Sequence, residues 1–291
     1  MSDPRAALFP GQGVDARDVL DALPEGDPYL SIANEVLRYP LRRRVLLQAR
    51  RPAAILPTLL AQPAIFVASS ISWRRAAEEG AVYDLLAGHS LGEYAALVAA
   101  GSLTFREGLE VVAVRAAAMH AVGRTTGDGM VALIGLELSQ AEAVAAGSGT
   151  TVANDNAPGQ QVVSGSPDAL AHAGRLAREM GGRAVLVKVS GAFHSPAMAP
   201  ATGPLREALA AVELVPPSIA AISNVDAQPH ATPAGIRKAL VEQLTAPVQW
   251  RTSLERLWDL GARSFDDIGP GRVVGGLARR TFQDREVLLD A

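Results

Sequence analysis

YDLLAGHSLGEYAALVAAG, running from Tyr83 to Gly101, decides how the chain is read. Tyr83 to Ala87 is a short apolar run that ends in glycine, and Glu93 to Ala100 is a compact helical pattern closed by Gly101. The GHSLG between them must reverse direction within one tight turn. A G-x-S-x-G sequence between a strand and a helix is a nucleophile elbow: Gly88 and Gly92 let backbones approach, and Ser90 stands at the apex of a strained turn. The helix behind it aims free N–H groups and its positive dipole end at any oxyanion formed on an acyl group that Ser90 attacks. The plainer alternative is a glycine-flanked serine in an ordinary strand-to-helix loop.

The rest of the chain narrows the chemistry. At 291 residues, 48% hydrophobic and 20% charged, it has ample material for one large α/β domain or two modest ones. A net charge of -3 gives no basic footprint for nucleic acid. There is no basic-then-apolar leader and no apolar run long enough to cross a bilayer, so a cytoplasmic location away from membranes is expected. Without cysteine there is no thiolate nucleophile or thiolate metal site, and the five histidines show no H-E-x-x-H spacing. A metal-free serine mechanism is the expectation.

Upstream, Ala6 to Phe9 is a strand running into PGQG, Pro10 to Gly13. Gly11 to Ala16 also fits the dinucleotide pattern G-x-G-x-x-A, but no helix is expected to open there. The alternative gives Gln12 a place beside the elbow as a side-chain or backbone donor. Six arginines, Arg38, Arg42, Arg43, Arg44, Arg50 and Arg51, form either a solvated face or a dock for an acidic partner. A core helix is expected after Pro63, continuing toward Arg75.

Downstream of the elbow, Thr104 to Glu107 is a capping box opening a helix to about Val122, before Gly123. Val111, Arg115 and Met119 fall at i, i+4 and i+8, so Arg115 lies on the apolar face. Its guanidinium must snorkel to water, pair with a protein carboxylate, or receive a substrate carboxylate. From Met130 to Val189 the pattern becomes βαββαβ, the order of a ferredoxin-like unit of four antiparallel strands under two helices. This small subdomain, 127–194, is expected as an insertion in a larger α/β subdomain formed by 1–126 and 195–291. Its last strand delivers the chain to His194, between Gly191 and Pro196, which is either a surface histidine or a general base. Beyond it, 196–212 is read as one helix, 219–223 as a strand leading into Asn224 to Asp226, and 264–268 as a strand before GPGR at 269–272. Strands and helices alternating on both sides of the small unit indicate a parallel-type sheet that the insertion interrupts.

Together FPGQG, GHSLGEYAALVAAG, the VxxR ending at Arg115, NDNAPGQQVVSG, GAFHSP, SNVD, QLTAPVQW and GPGR resemble the malonyl-coenzyme A:acyl carrier protein transacylase family over nearly the whole chain. The resemblance implies a hydrolase-like α/β core with a ferredoxin-like insertion. It implies Ser90 as nucleophile, His194 as base, and Gln12 with the Leu91 N–H as oxyanion hole. Arg115, Phe193, His89 and Asn156 would bind substrate, and a backbone carbonyl near Gln243 would orient the histidine. Asp128, Asp155 and Asp168 leave open a Ser-Asp-His triad. No resident cofactor or metal is implied, since coenzyme A arrives as the thioester and phosphopantetheine on the carrier. The chain would work in trans on an acyl carrier protein, as a monomer. The sequence after Gly13 departs from the Ser-Gln common in the family, which bears on the loop over the site. A serine hydrolase, an editing thioesterase, or a non-catalytic carrier-binding scaffold are the alternatives.

Overall fold

Ala6 to Phe9 and Leu85 to Gly88 are fully buried along their length, which is the signature of strands in the middle of a covered parallel sheet. In the computed structural model, which describes residues 3–51, 54–283, 285 and 288–289, these are β1 (Arg5–Phe9) and β2 (Leu85–Gly88). Between them lie α1 (Ala16–Asp21), α2 (Pro28–Leu37), α3 (Leu41–Ala49) and α4 (Thr58–Glu78). Then follow α5 (Gly92–Ala99), α6 (Phe105–Thr126), β3 (Gly129–Ile134), α7 (Leu138–Ser148), β4 (Thr151–Ala157), β5 (Gln160–Gly165), α8 (Pro167–Glu179) and β6 (Arg183–Val187). The last part holds α9 (Thr202–Ala210), β7 (Ala220–Ile222), α10 (Pro233–Glu242), β8 (Val248–Gln249), α11 (Trp250–Asp259), β9 (Ser264–Asp267), α12 (Val273–Thr281) and β10 (Leu288–Leu289).

The large sheet runs β10-β9-β1-β2-β7 with every pair parallel. Its two faces are read directly off β1. Ala7 and Phe9 pack into the core that holds α4, α5 and α6, while Ala6 and Leu8 pack against Trp250, Leu254, Val274 and Leu277 of α11 and α12. Phe9 pairs with Gly88, and Ala87 with Ile222, so the loops after β1, β2 and β7 emerge together at the carboxyl edge. Ligand sites of open α/β sheets form at that edge.

The small sheet runs β6-β3-β5-β4-β8. Its first four strands have the antiparallel ferredoxin-like order expected from βαββαβ. The fifth, β8, pairs parallel with β4 and comes from outside the 127–194 span. One face buries Val131, Leu133 and Val163 under α7 and α8; Met130, Val162 and Val187 face the other way.

Four local expectations are corrected. A helix, α1, does open after Gly13, but its N-cap Asp15 accepts from the Arg17 N–H, so a carboxylate already occupies the position a dinucleotide phosphate would take. The long helix α4 starts at Thr58 and runs through Pro63. A proline removes a single amide donor, and the buried run Ala61 to Ile71 outweighs that loss. Helix α6 likewise runs through Gly123 to an αL cap at Gly127. Gly123 is not a stop but a contact: a Cβ there would stand 1.6 Å from the Ser190 carbonyl oxygen. The stretch read as one helix over 196–212 begins as a 3-10 turn, Pro196–Ala201, since Pro200 has no N–H to donate.

Candidate active site

The elbow is built from close backbone packing. A Cβ on Gly88 would fall 2.0 Å from the Gly92 carbonyl carbon, and one on Gly92 would fall 2.2 Å from the Phe9 carbonyl oxygen. Only glycine fits either position. Ser90 between them takes φ 51°, a left-handed conformation that costs a serine about 1–3 kcal/mol. Asn224 holds it there: its Oδ1 accepts the Ser90 N–H at 2.6 Å and its Nδ2 donates to the Gly88 carbonyl at 2.8 Å. With that N–H engaged, the adjacent candidate donor is the Leu91 N–H, at the N-cap of α5, where amides have no intrahelical acceptor.

Ser90 Oγ lies 2.8 Å from His194 Nε2, and His194 Nδ1 lies 2.7 Å from the backbone carbonyl of Gln243. Nδ1–H therefore donates to that carbonyl, and the free Nε2 lone pair faces the serine hydroxyl. Gln243 is the C-cap of α10, so the carbonyl belongs to the negative end of a helix. A Ser-Asp-His triad is excluded by this pairing: Asp155 instead accepts from Gln161 Nε2, and Asp168 lies in the exposed first turn of α8. Asp128 stands half-buried in the link between α6 and β3. The His194 loop is held from two sides, by Ser164 Oγ on the Phe193 carbonyl at 2.6 Å and by the close approach of Ser190 to Gly123. His194 itself adopts φ 55°.

Burial pushes the His194 imidazole down to about 3, and the Arg115 guanidinium nearby adds to the effect against the Gln243 carbonyl. The histidine is thus neutral at physiological pH, the form a base requires. Acylation of the free enzyme should stay level through about pH 6.5, where an ordinary histidine titrates. A rate profile that halves near that pH would contradict a buried neutral base. The same burial sets a stability slope. Below about 6.5 the unfolded chain binds a proton at this site that the native chain refuses until about 3, so stability falls as pH drops across that window.

Arg115 on α6 is 1% exposed, which rules out snorkelling, and among the described residues it forms no ion pair with a carboxylate. Its Nη1 donates to Gln62 Oε1 at 2.8 Å, and its Nη2 to Gln243 Oε1 at 2.8 Å and to Ser90 Oγ at 3.1 Å. Every acceptor is neutral. A buried cation held by two amides, a hydroxyl and the face of the Tyr94 ring at 5.4 Å has charge left to offer an anion brought beside the serine.

A cleft of about 140 Å³ opens over Ser90, with Gln12, His89, Asn156, Phe193 and His194 in its lining. Small-sheet residues Met130, Val162 and Val187 form one wall and α12 residues Val273, Val274 and Leu277 another. The Gln12 side chain is committed, donating to Thr58 Oγ1 at 3.3 Å and accepting from Gln62 Nε2 at 3.0 Å. That leaves its backbone N–H for a ligand. His89 Nε2 meets Asn156 Oδ1 at 2.8 Å, and burial lowers its imidazole below the ordinary value. A neutral His89 donating to Oδ1 turns the Asn156 amide so that its NH2 is not spent on that contact.

The sequence of the family described as acyl transferase domain matches residues 7–288. The chain belongs to that family. It is 34% identical over 285 residues to the malonyl CoA-acyl carrier protein transacylase of Bacillus subtilis (strain 168), covering 94% of this chain and 89% of the relative. Among solved structures, the malonyl CoA-acyl carrier protein transacylase (fabD) from Coxiella burnetii superposes with a TM-score of 0.91 at 32% identity, over 99% of this chain and 94% of that one. A type II PKS acyl-carrier protein in complex with its malonyl-transacylase, PlMCAT:AntF, matches with a TM-score of 0.86 at 33% identity, over 98% of this chain and 94% of that one. In this acyl transferase the residues brought together are Ser90, Leu91, Gln12, His89, Asn156, Arg115, Phe193, His194 and Gln243. Asn224, Gln62 and Glu93 are additional. Asn224 lies within the SNVD stretch, flagged in the sequence by its place at a strand end and as one of the family-like motifs, neither of which says what the side chain holds. Among the described residues no group of three His, Asp or Glu side chains could hold a metal ion, and no helix is long and apolar enough to cross a membrane.

Proposed function

We propose that the protein moves a malonyl group from coenzyme A to the phosphopantetheine thiol of an acyl carrier protein, through an ester on Ser90. The observation that carries this reading is Arg115: a buried fork without a carboxylate partner whose Nη2 already touches the nucleophile oxygen. An acyl group esterified on Ser90 and bearing a free carboxylate finds its counter-charge there.

His194 Nε2 takes the proton of Ser90 Oγ as the oxygen attacks the thioester carbonyl. The carbonyl oxygen becomes an oxyanion, accepting hydrogen bonds from the Leu91 and Gln12 N–H groups. Collapse breaks the carbon–sulfur bond, and the coenzyme A sulfur leaves with the proton from His194. In the second half the carrier thiol gives its proton to His194 and attacks the ester carbonyl, and Ser90 Oγ departs, recovering that proton. Phe193 in the cleft wall crowds any branch at the acyl α-carbon. The Asn156 amide, held by His89, offers a donor to the incoming acyl or pantetheine chain.

Intact-protein mass spectrometry tests the reading. Malonyl-coenzyme A alone should leave a persistent malonyl adduct on the protein, discharged when carrier is added. Rapid release of free malonate without carrier would assign hydrolysis instead.

Carrier docking belongs to α12. Its Val273, Val274 and Leu277 line the cleft, and Arg280 Nη1 reaches Gln160 Oε1 at 3.0 Å on the cleft wall. The earlier arginine run is elsewhere: no residue of α3 lines the cleft, Arg42 is bound to Glu25 and the Leu23 carbonyl, and Arg44 stacks over Tyr39. Arg279→Ala with Arg280→Ala should slow transfer to the acidic carrier about tenfold at low salt and leave coenzyme A loading near wild type. Equal loss in both half-reactions would remove the docking role.

A further inference from the structure

Glu93 stands in the first turn of α5, three residues after the nucleophile, with no exposed surface. Its Oε2 accepts from Gln243 Nε2 at 2.6 Å and from the Asn224 N–H at 3.2 Å, and its Oε1 lies 2.8 Å from His230 Nε2. An ionised carboxylate can only accept, so all three groups donate to it.

Two of these donors hold the site. Gln243 presents its backbone carbonyl to His194 Nδ1, its Oε1 to Arg115 Nη2 and its Nε2 to the Ser90 carbonyl at 3.0 Å. Asn224 fixes the strained elbow with its side chain, Oδ1 accepting from the Ser90 N–H and Nδ2 donating to the Gly88 carbonyl. Among the described residues Glu93 is thus the group, besides Ser90 itself, that is bound to both holders. The amide of Gln243 also lies between the two buried charges, its carbonyl oxygen toward Arg115 and its nitrogen toward Glu93. A direct ion pair would have filled the fork that the acyl carboxylate needs. Placing one polarised amide between them compensates the cation and leaves it available.

We infer that Glu93 is a positioning residue: through Gln243 and Asn224 it sets nucleophile, base and acyl-binding arginine against one another, and it is the counter-charge of Arg115 at one amide's remove. The inference rests on the acyl-transfer reading for its substrate, and the base and nucleophile arms stand apart from it.

The test compares wild type with Glu93→Gln, which keeps shape and removes charge. Two rates are measured per folded molecule: formation of the seryl ester from malonyl- and acetyl-coenzyme A, and labelling of Ser90 by a fluorophosphonate, which needs only nucleophile and base. Both should fall about ten- to a hundredfold, with KM for malonyl-coenzyme A within about threefold of wild type. Gln243→Met, which leaves the backbone carbonyl on His194 and cuts the amide link, should reproduce the loss and serves if Glu93→Gln does not fold. Wild-type rates in the folded variants would overturn the proposal. So would a loss confined to KM for malonyl-coenzyme A, or one that merely follows the unfolded fraction seen by circular dichroism. A wild-type protein that labels with fluorophosphonate but never takes malonyl would refute the donor reading, while the labelling rates still judge Glu93.

Discussion

Ser90→Ala is expected to leave no acyl adduct on the protein after incubation with malonyl-coenzyme A, and transfer to carrier should fall by at least about 10⁴-fold. The size of the effect follows from the geometry. In a two-step mechanism the only atom that carries the acyl group between thiols is Ser90 Oγ, poised 2.8 Å from the base. Among the described residues the Thr58 and Ser190 hydroxyls are engaged with one another at 3.3 Å, and Thr58 with Gln12, not with the base. Alanine bears much the same cost as serine in the left-handed conformation, and the Asn224 contact is to the backbone amide, so that contact is kept and the fold with it. Measured turnover above that limit would mean direct transfer between thiols, and the ester scheme would be abandoned.

Arg115→Ala is expected to slow malonyl loading about a hundred- to a thousandfold while acetyl loading changes far less. Removing one partner of a buried, hydrogen-bonded charge pair forfeits about 2–5 kcal/mol, and only the malonyl ester has the other partner. The substitution also frees Ser90 Oγ, Gln62 Oε1 and Gln243 Oε1 from their shared donor. Seryl ester formation from the two donors, followed by mass, gives the ratio. An unchanged malonyl-to-acetyl preference would strip Arg115 of its role.

Much of this arrangement is legible before any coordinates. The elbow is legible because its glycines are forced: a Cβ on either would stand 2.0–2.2 Å from neighbouring backbone, and such close packing leaves a fixed trace in sequence. The insertion is legible because strand and helix periods alternate cleanly through β3 to β6. Arg115 is found by helical phase alone, but phase cannot say which acceptors it meets. Gly123 misleads for the same reason that Gly88 informs. A glycine that admits a distant backbone looks identical to one that ends a helix, and only the Ser190 contact separates them. Long-range side-chain contacts are harder still. Glu93 and Gln243 are 150 positions apart, and nothing local in either stretch announces the bond. β8 escapes notice because two residues are too few for a period.

That short strand has a mechanical effect. The segment from Gln243 to Gln249 first supplies the carbonyl under His194 and then joins the small sheet, with Asn154 paired to Val248 and the Gln249 N–H on the Asn224 carbonyl at 2.9 Å. Swinging the insertion away from the main body would tear this strap and drag the imidazole's anchor with it. The strap therefore ties the width of the cleft to the placement of the base, so that a long thioester arm enters past walls joined to His194. Any hinge that widened the entrance for a bulkier guest would displace the imidazole as well, which couples what can enter to what can react.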